Sequence, residues 1–442
     1  MIEICTVGGF DQVGKNMIAV RVDDETIILD MGLDLGPYIK YTEDNDDPDM
    51  SAKTLTRLGA IPDITPIKSW KNVIAIVPTH AHLDHIGAIP YLANKYKKAP
   101  IICSGFTKEV IKSICDSSRT KIKNKIKKVS TNSKTKIGNI TIEFINVTHS
   151  TPQSAIVALH TKYGTIVYAT DFKFDNTPTL GEKTNIHRLK EIGNTKNVLC
   201  LIMDALGSDI KEKTESELTA KEMLNELFKK VDSKKNGIII TTFSSHLARL
   251  KAIIGIGKKL NRKIVFLGRS LSKYVIAGQK EKIIDFEKDV ELCKYQAHIS
   301  RKLKQINKKK SKYLVVCTGH QGEKNSILPK IVDGTYEYNV SPDDMIVFSC
   351  RVIPNIINEE NRKELEKKLK LKKARIYKGL HTSGHAGRED LKELISYIKP
   401  EKIIPCHGGI DKTKGVKILA GELGIKYKVK QMSNGKILKI VT

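Results

Sequence analysis

Residues 73–85 read VIAIVPTHAHLDH, an apolar run that ends in His80, His82, Asp84 and His85. The first part is a buried strand by its unbroken Val/Ile character. From His85 the chain continues HIGAIPYLANKYKK, a helical pattern interrupted early by Pro90. His80 and His82, two apart in an extended loop, can face one side and share a metal ion. Asp84 and His85, at the start of the helix, would turn toward a neighbouring ion. Histidine and carboxylate ligands at about 2.0–2.2 Å suit zinc, and in part manganese or iron. A lone histidine on a strand is ordinarily structural or titrating. Four ligand-competent groups within six residues are different, because burying them without an ion is costly.

The same rhythm extends outward. MIAVRV, ETIILD, TIEFINVTHS and GTIVYATDF are further short β-rich runs that stop at polar residues, so three more candidate ligands stand at strand ends: His149, Asp171 and His407. A second strand–helix alternation starts near Lys213, with ELTAKEMLNELFKKV and HLARLKAIIGIGKKL as helices and NGIIITTFSS, RKIVFLG, YLVVCTG and DMIVFSC as buried strands. Alternation of this kind predicts α/β architecture, a parallel sheet and ligands at the carboxyl ends of its strands. Between Gly36 and Lys71 no periodicity is evident, and Glu43, Asp44, Asp46, Asp47 and Asp49 lack the spacing of a calcium loop, so a solvated loop is expected. GGFDQVGKN lacks the spacing of a phosphate-binding loop and reads as a tight turn between strands near the metal cleft.

At 442 residues the chain has room for two or three domains. Its 76 Lys and Arg against 49 Asp and Glu leave a formal charge of +27, a field that attracts polyanions. Heat-adapted proteins also enrich Lys, but together with Glu, and here the acids lag. The eight cysteines form no CxxC pair and sit mostly in apolar runs, which fits a reducing cytoplasm and makes zinc bound through paired cysteines unexpected. No apolar run is long enough to span a membrane, and the first residues lack the pattern of an export signal. His160, His187, His298 and His320 belong to no motif and receive no role.

Asp30 in TIILDMG, the HAHLDH motif, His149 and Asp171 resemble, in order and approximate spacing, the successive motifs of the metallo-β-lactamase superfamily. That resemblance implies an αβ/βα sandwich with two metal ions at its edge. His80, His82 and His149 would hold one ion, Asp84, His85 and His407 the other, with Asp171 bridging them and Asp30 orienting the cluster. Beyond Asp171, CLIMDALGSD, TTFSSHLARL, FLGRS, CTGHQGEKNS and HTSGHAG resemble the β-CASP branch, whose members process nucleic acids. Within it, VVCTGHQGEKNSILPKI, VFSCRVIP and HTSGHA with its later PCHG are most similar to RNase J, over nearly the whole chain. The expected division is a metallo-β-lactamase domain from 1–206, an inserted α/β β-CASP domain from 207–365 and a completing part from 366–442. The tail stops soon after His407, so the archaeal type, without the additional C-terminal domain of bacterial members, is the expected one.

The resemblance further implies that Asp204 supports His385 as general acid beside the ligand Asp84, and that His381, Ser383 and the backbone around Gly384 receive a substrate phosphate. Ser245, His246 and Arg269 are weaker substrate-contact candidates, equally readable as capping or surface residues. The implied activity is a two-zinc ribonuclease, with Mn2+ or Mg2+ as substitutes. It would act 5′→3′ on single-stranded RNA with a preference for 5′-monophosphate ends, alongside endonuclease action, in RNA decay and processing. A cytoplasmic homodimer is expected. The basic runs Lys121–Lys128, Arg301–Lys312 and Arg362–Arg375 are either solvated faces or phosphate tracks. Aromatic residues make up only 6% of the chain, which favours recognition through backbone and 5′ end over base stacking. The rival readings are a DNA nuclease, a small-molecule metallohydrolase and a non-catalytic RNA-binding subunit. The last typically loses ligands that are all present here.

Overall fold

The computed structural model describes residues 1–45, 47–353 and 356–441. Two compact units make up the chain: Met1–Asn176 with Gly181–Thr214 and Ser383–Thr442, and Thr177–Leu180 with Glu215–Thr382. The first crossing falls beyond residue 206 because Ala205 N donates to Cys406 O and Thr214 N to Asp390 Oδ2, tying this segment to the first unit. The second falls beyond 365 because the helix Ile356–Leu371 leads to Arg375–Tyr377, which pairs with the strand Met345–Phe348 of the second unit.

The first unit is an αβ/βα sandwich. One sheet has the strand order Lys436–Val441, Ile2–Gly8, Met17–Val22, Glu25–Leu29, Val73–Val77, Ile101–Cys103 and Ile126–Lys128. The other has Lys402–Cys406, Val198–Asp204, Gly164–Ala169, Ala155–Thr161, Ile140–Asn146 and Ser133–Ile137. Side chains alternate across each strand. Thus Ile27, Leu29, Ala75 and Val77 of one sheet share a core with Ile142, Phe144, Ile166, Tyr168, Ile202 and Ile404 of the other. The intervening residues Val167, Ala169, Leu201, Met203 and Ile403 face outward and are covered by Leu189 and Ile192, Leu391 and Leu394, and Val416 and Leu419 from three helices. With both faces of this sheet buried, a slip of one residue would exchange two apolar sets and break both cores. The strands Glu25–Leu29, Val73–Val77, Gly164–Ala169, Val198–Asp204 and Lys402–Cys406 each take part in a parallel pairing, and their carboxyl ends carry the motif residues.

The second unit holds an all-parallel sheet ordered Val290–Cys293, Lys263–Leu267, Tyr313–Cys317, Ile238–Thr241, Met345–Phe348 and Arg375–Tyr377. Its continuous apolar strands reflect burial on both faces by the intervening helices. Arg249 is fully buried in this unit. Its Nε and Nη2 donate side by side to the two Glu217 oxygens, at 2.5 and 2.8 Å, and its Nη1 donates to Ser349 Oγ and to the carbonyls of Ser349 and Leu380.

The stretch from Gly36 to Lys71 differs from the expected loop, since it contains helices Leu35–Asp44 and Ala52–Arg57. They rest on caps: Asp34 accepts from Gly36 N and Ser51 from Thr54 N, and Asp49 accepts from Ser51 N and Ser51 Oγ. Asp46 of the acidic stretch and Pro354 of VFSCRVIP lie outside the described residues. No helix among the described residues is long and apolar enough to cross a membrane, and all eight cysteines are buried.

Candidate metal centre

HAHLDH begins three residues past the strand Val73–Val77, and His82 immediately precedes the short helix Leu83–Ile86. His149 lies three residues past the strand Ile140–Asn146, and Asp171 two past Gly164–Ala169. His407 stands just past Lys402–Cys406 in a left-handed conformation, φ 58°.

These residues form two adjoining nests. In the first, His80 Nε2 and His149 Nε2 each lie 3.1 Å from His82 Nδ1. Asp171 Oδ2 is 3.4, 3.9 and 3.5 Å from the His80, His82 and His149 nitrogens. In the second, His85 Nε2 is 3.3 Å from Asp84 Oδ2 and 3.1 Å from Asp171 Oδ1, and His407 Nε2 is 3.9 and 3.6 Å from the same oxygens. Donors bound tetrahedrally at about 2.0–2.2 Å lie about 3.3–3.6 Å from one another, so each nest has the dimensions of a single-ion site. Asp171 gives one oxygen to each nest.

The outward-facing ring nitrogens show the same fit. His149 Nδ1 donates to Gly384 O at 2.7 Å, and His85 Nδ1 to Asp30 Oδ2 at 2.8 Å. His407 Nδ1 donates to Asn16 Oδ1 at 3.0 Å, His80 Nδ1 is 3.0 Å from Thr79 Oγ1, and His82 Nε2 is 3.3 Å from Ser150 Oγ. With these protons placed on the far side, the inner lone pairs are free for an ion, the arrangement that supporting hydrogen bonds impose on metal-binding histidines. Burial holds His149 well below the usual histidine range and His80 at about 4, the neighbouring His85 adding to the effect on His80. Both rings are therefore neutral, as ligands must be. His85 is the exception: against its burial, Asp171, Asp84 and Asp30 surround it and hold it well above that range, so an ion at this nest has to displace its Nε2 proton.

Asp30 is fully buried with φ 58°. It accepts from Thr79 N at 2.7 Å, Thr79 Oγ1 at 3.0 Å, His85 Nδ1 and Tyr168 OH at 2.9 Å. Beside the nests, His385 Nδ1 donates to Asp204 Oδ2 at 2.8 Å, and its Nε2 is 3.7 Å from Asp171 Oδ2. Against the pull of burial, Asp171 and Asp204 raise His385 to about 9.

The remaining candidates divide between the units. Ser383 accepts from His385 N at 3.0 Å, and the Gly384 carbonyl orients His149. A Cβ at Gly384 would stand 3.0 Å from His149 Cε1 and 3.1 Å from Ser150 Cβ, so only glycine allows this approach without a shift. In the second unit, His381 and Ser245 are partly and largely buried, and Arg269 is exposed at the start of the helix Arg269–Lys280. His246 caps the helix Leu247–Lys259 and lies 3.2 Å from Glu217 Oε2. The basic run from Arg301 is partly ion-paired: Lys302 to Glu291, Lys304 to Glu337 and Lys310 to Asp344.

Asn16, Thr79, Ser150 and Tyr168 surround the nests but carried no motif. Asn16 closes the glycine-rich segment, and its amide donates to Asp84 O at 3.0 Å while Gly9 O accepts from His407 N at 2.6 Å. The glycine turn was the one available cue.

An αβ/βα sandwich with a histidine–carboxylate cluster of this kind at its strand ends defines a metallo-β-lactamase-type hydrolase. Family models place a β-lactamase superfamily domain at residues 48–235, the ribonuclease J β-CASP domain at 235–366 and a zinc-dependent metallo-hydrolase RNA specificity domain at 372–429. The chain is similar to ribonuclease J of Methanocaldococcus jannaschii, 40% identical over 99% of this chain and 98% of that one. Ribonuclease J of Pyrococcus abyssi is likewise 40% identical, over 100% and 97%, and ribonuclease J 1 of Streptococcus pyogenes 30% identical, over 100% and 75%. A solved structure of a protein of unknown function from Enterococcus faecalis V583 shares the fold, with a TM-score of 0.64 at 16% identity over 99% of both chains. The chain belongs to the ribonuclease J family and is a metal-dependent ribonuclease.

Proposed function

We propose that the chain is a two-zinc 5′→3′ exoribonuclease for single-stranded RNA with a preference for 5′-monophosphate ends, and that it also cleaves internally. The observation that carries the two-ion reading is Asp171, whose two oxygens serve separate nests of otherwise complete donors. His80, His82 and His149 hold one ion with Asp171; Asp84, His85 and His407 hold the other. When bound, such a pair supplies an acidified water and neutralises charge on the phosphoryl oxygens. The chain's own contribution is orientation and proton handling. Asp30 and Asn16 fix the tautomers of His85 and His407. His385, kept protonated by Asp204, gives its Nε2 proton to the leaving 3′-oxygen. Ser383 and Gly384, beside the nests, receive a substrate phosphate; His381, Ser245 and Arg269 belong to the second unit and are its candidate RNA contacts.

As functional modules, residues 1–206 and 366–442 would supply the hydrolase and 207–365 the inserted domain; the β-CASP limit at 366 supports the second boundary, whereas the β-lactamase model runs on to 235 and the compact units change after residues 214 and 382. A cytoplasmic homodimer completes the proposal. The test is degradation of end-labelled RNA carrying a 5′-hydroxyl, monophosphate or triphosphate, with labelled DNA in parallel. Mononucleotide release confined to the monophosphate RNA supports the reading. Equal attack on all three ends, or a preference for DNA, overturns it.

A further inference from the structure

The second unit gathers a different donor set at the edge of its sheet. Glu291 and Cys293 lie two apart on the strand Val290–Cys293 and so share one face, and His298 lies near the start of the next helix, Gln296–Asn307. Cys293 Sγ is 3.6 Å from His298 Nε2 and 4.0 Å from Glu291 Oε1, and those two atoms are 3.7 Å apart. Lys302, one turn farther along the helix, holds the other carboxylate oxygen, Oε2, at 2.7 Å and leaves Oε1 turned toward the triangle. The base is fixed: Cys293 is fully buried, and its carbonyl accepts from Gly268 N at 2.9 Å. The mouth is open, with the His298 and Glu291 side chains 42% and 43% exposed.

Sulfur at about 2.3 Å and nitrogen or oxygen at about 2.0–2.2 Å from a common ion lie roughly 3.4–3.8 Å apart, close to the three edges observed. We propose that Glu291, Cys293 and His298 form a mononuclear site for zinc or a similar transition-metal ion, separate from the hydrolytic centre, with the fourth position open to solvent. One sulfur, one imidazole and one carboxylate select such ions over magnesium or calcium. Binding releases the thiol proton and clips the edge strand to the helix after it. Neither residue pairing nor motif marks the site in the sequence, where Cys293 has no partner cysteine and His298 no ligand spacing.

The hydrolytic nests contain only histidine and aspartate, so a thiolate signature reports on the new site alone. The metal-free full chain, given two equivalents of zinc to fill the histidine–aspartate nests and no more, is titrated with Co(II). The expected result is a sulfur-to-cobalt charge-transfer band and one bound equivalent beyond the loaded centre. Cys293→Ser is expected to lose both while degrading RNA at the wild-type rate. His298→Gln, a change at a half-exposed position, is expected to weaken the cobalt affinity by about tenfold or more. Absence of the band from the wild-type chain in excess Co(II), or its persistence in folded Cys293→Ser, overturns the proposal. Should Cys293→Ser fail to fold, an unchanged cobalt affinity in His298→Gln overturns it equally. RNA hydrolysis is followed throughout, so failure of this site and failure of the hydrolytic reading give separate results.

Discussion

Replacing Asp30 by Asn tests whether the cluster depends on its buried support. The native carboxylate accepts from Thr79 N, Thr79 Oγ1, His85 Nδ1 and Tyr168 OH, with no access to water. An amide has one oxygen, so in either orientation its NH2 faces donors: Thr79 N on one side, or His85 Nδ1–H and Tyr168 OH on the other. Hydrogen bonds to a charged acceptor contribute about 1.5–3 kcal/mol each, and a buried donor left unpaired costs about 1–3 kcal/mol. Losing at least one of each predicts destabilisation of about 3–5 kcal/mol. The loss of the His85 tautomer lock predicts about 10–100-fold weaker metal binding. Urea unfolding of the metal-free chain measures the first and competition with a chromophoric chelator the second. Tyr168→Phe, which removes one donor to the carboxylate and leaves no group unpaired beside it, should cost less, about 1.5–3 kcal/mol. If Asp30→Asn unfolds within about 1 kcal/mol of wild type and binds metal as tightly, the reasoning from donor count is wrong.

Gly384→Ala should push His149 by a few tenths of an ångström, weakening metal binding about tenfold with little change in unfolding free energy; equal chelator competition by both proteins would count against it. Glu217→Gln leaves Arg249 buried with one charge uncompensated and should destabilise the second unit by about 3–5 kcal/mol, seen as a lower urea midpoint for its unfolding. His320 is held at about 3 by burial, with Arg362 adding to the effect, whereas in the unfolded chain it titrates near 6.5. The unfolded state therefore binds the extra proton, and stability falls as pH drops from about 6.5 toward 3, by about 2 kcal/mol at pH 5. His320→Asn should flatten that slope in unfolding measurements between pH 7 and 5, and an unchanged slope would remove His320 as its source.

The clustering of the candidate ligands was largely legible because they stand where strands stop, and an apolar run ending in His or Asp is visible without knowing what packs beside it. His80, Asp171 and His407 were found this way, and their order along the chain carried the resemblance. Asn16 and Tyr168 were not, since nothing local marks them: Tyr168 is one aromatic in a buried strand, and only the facing sheet brings its hydroxyl to Asp30. The helix Leu35–Asp44 escaped for the opposite reason. It has no buried residue and hence no apolar stripe to reveal it, so its start is marked only by the Asp34 cap. Glu291, Cys293 and His298 were invisible because a strand end and the next helix meet there only through the βα turn.

The hydrogen bond between Asn16 and His407 joins residues 391 positions apart. Six of the seven proposed ligands are present once residue 171 has been made, but the second nest stays open until the ribosome passes residue 407. A chain cut between residues 171 and 407 would therefore keep every proposed donor of the first nest and lack one of the second, so the two ions differ in how much of the chain each needs before it can be held.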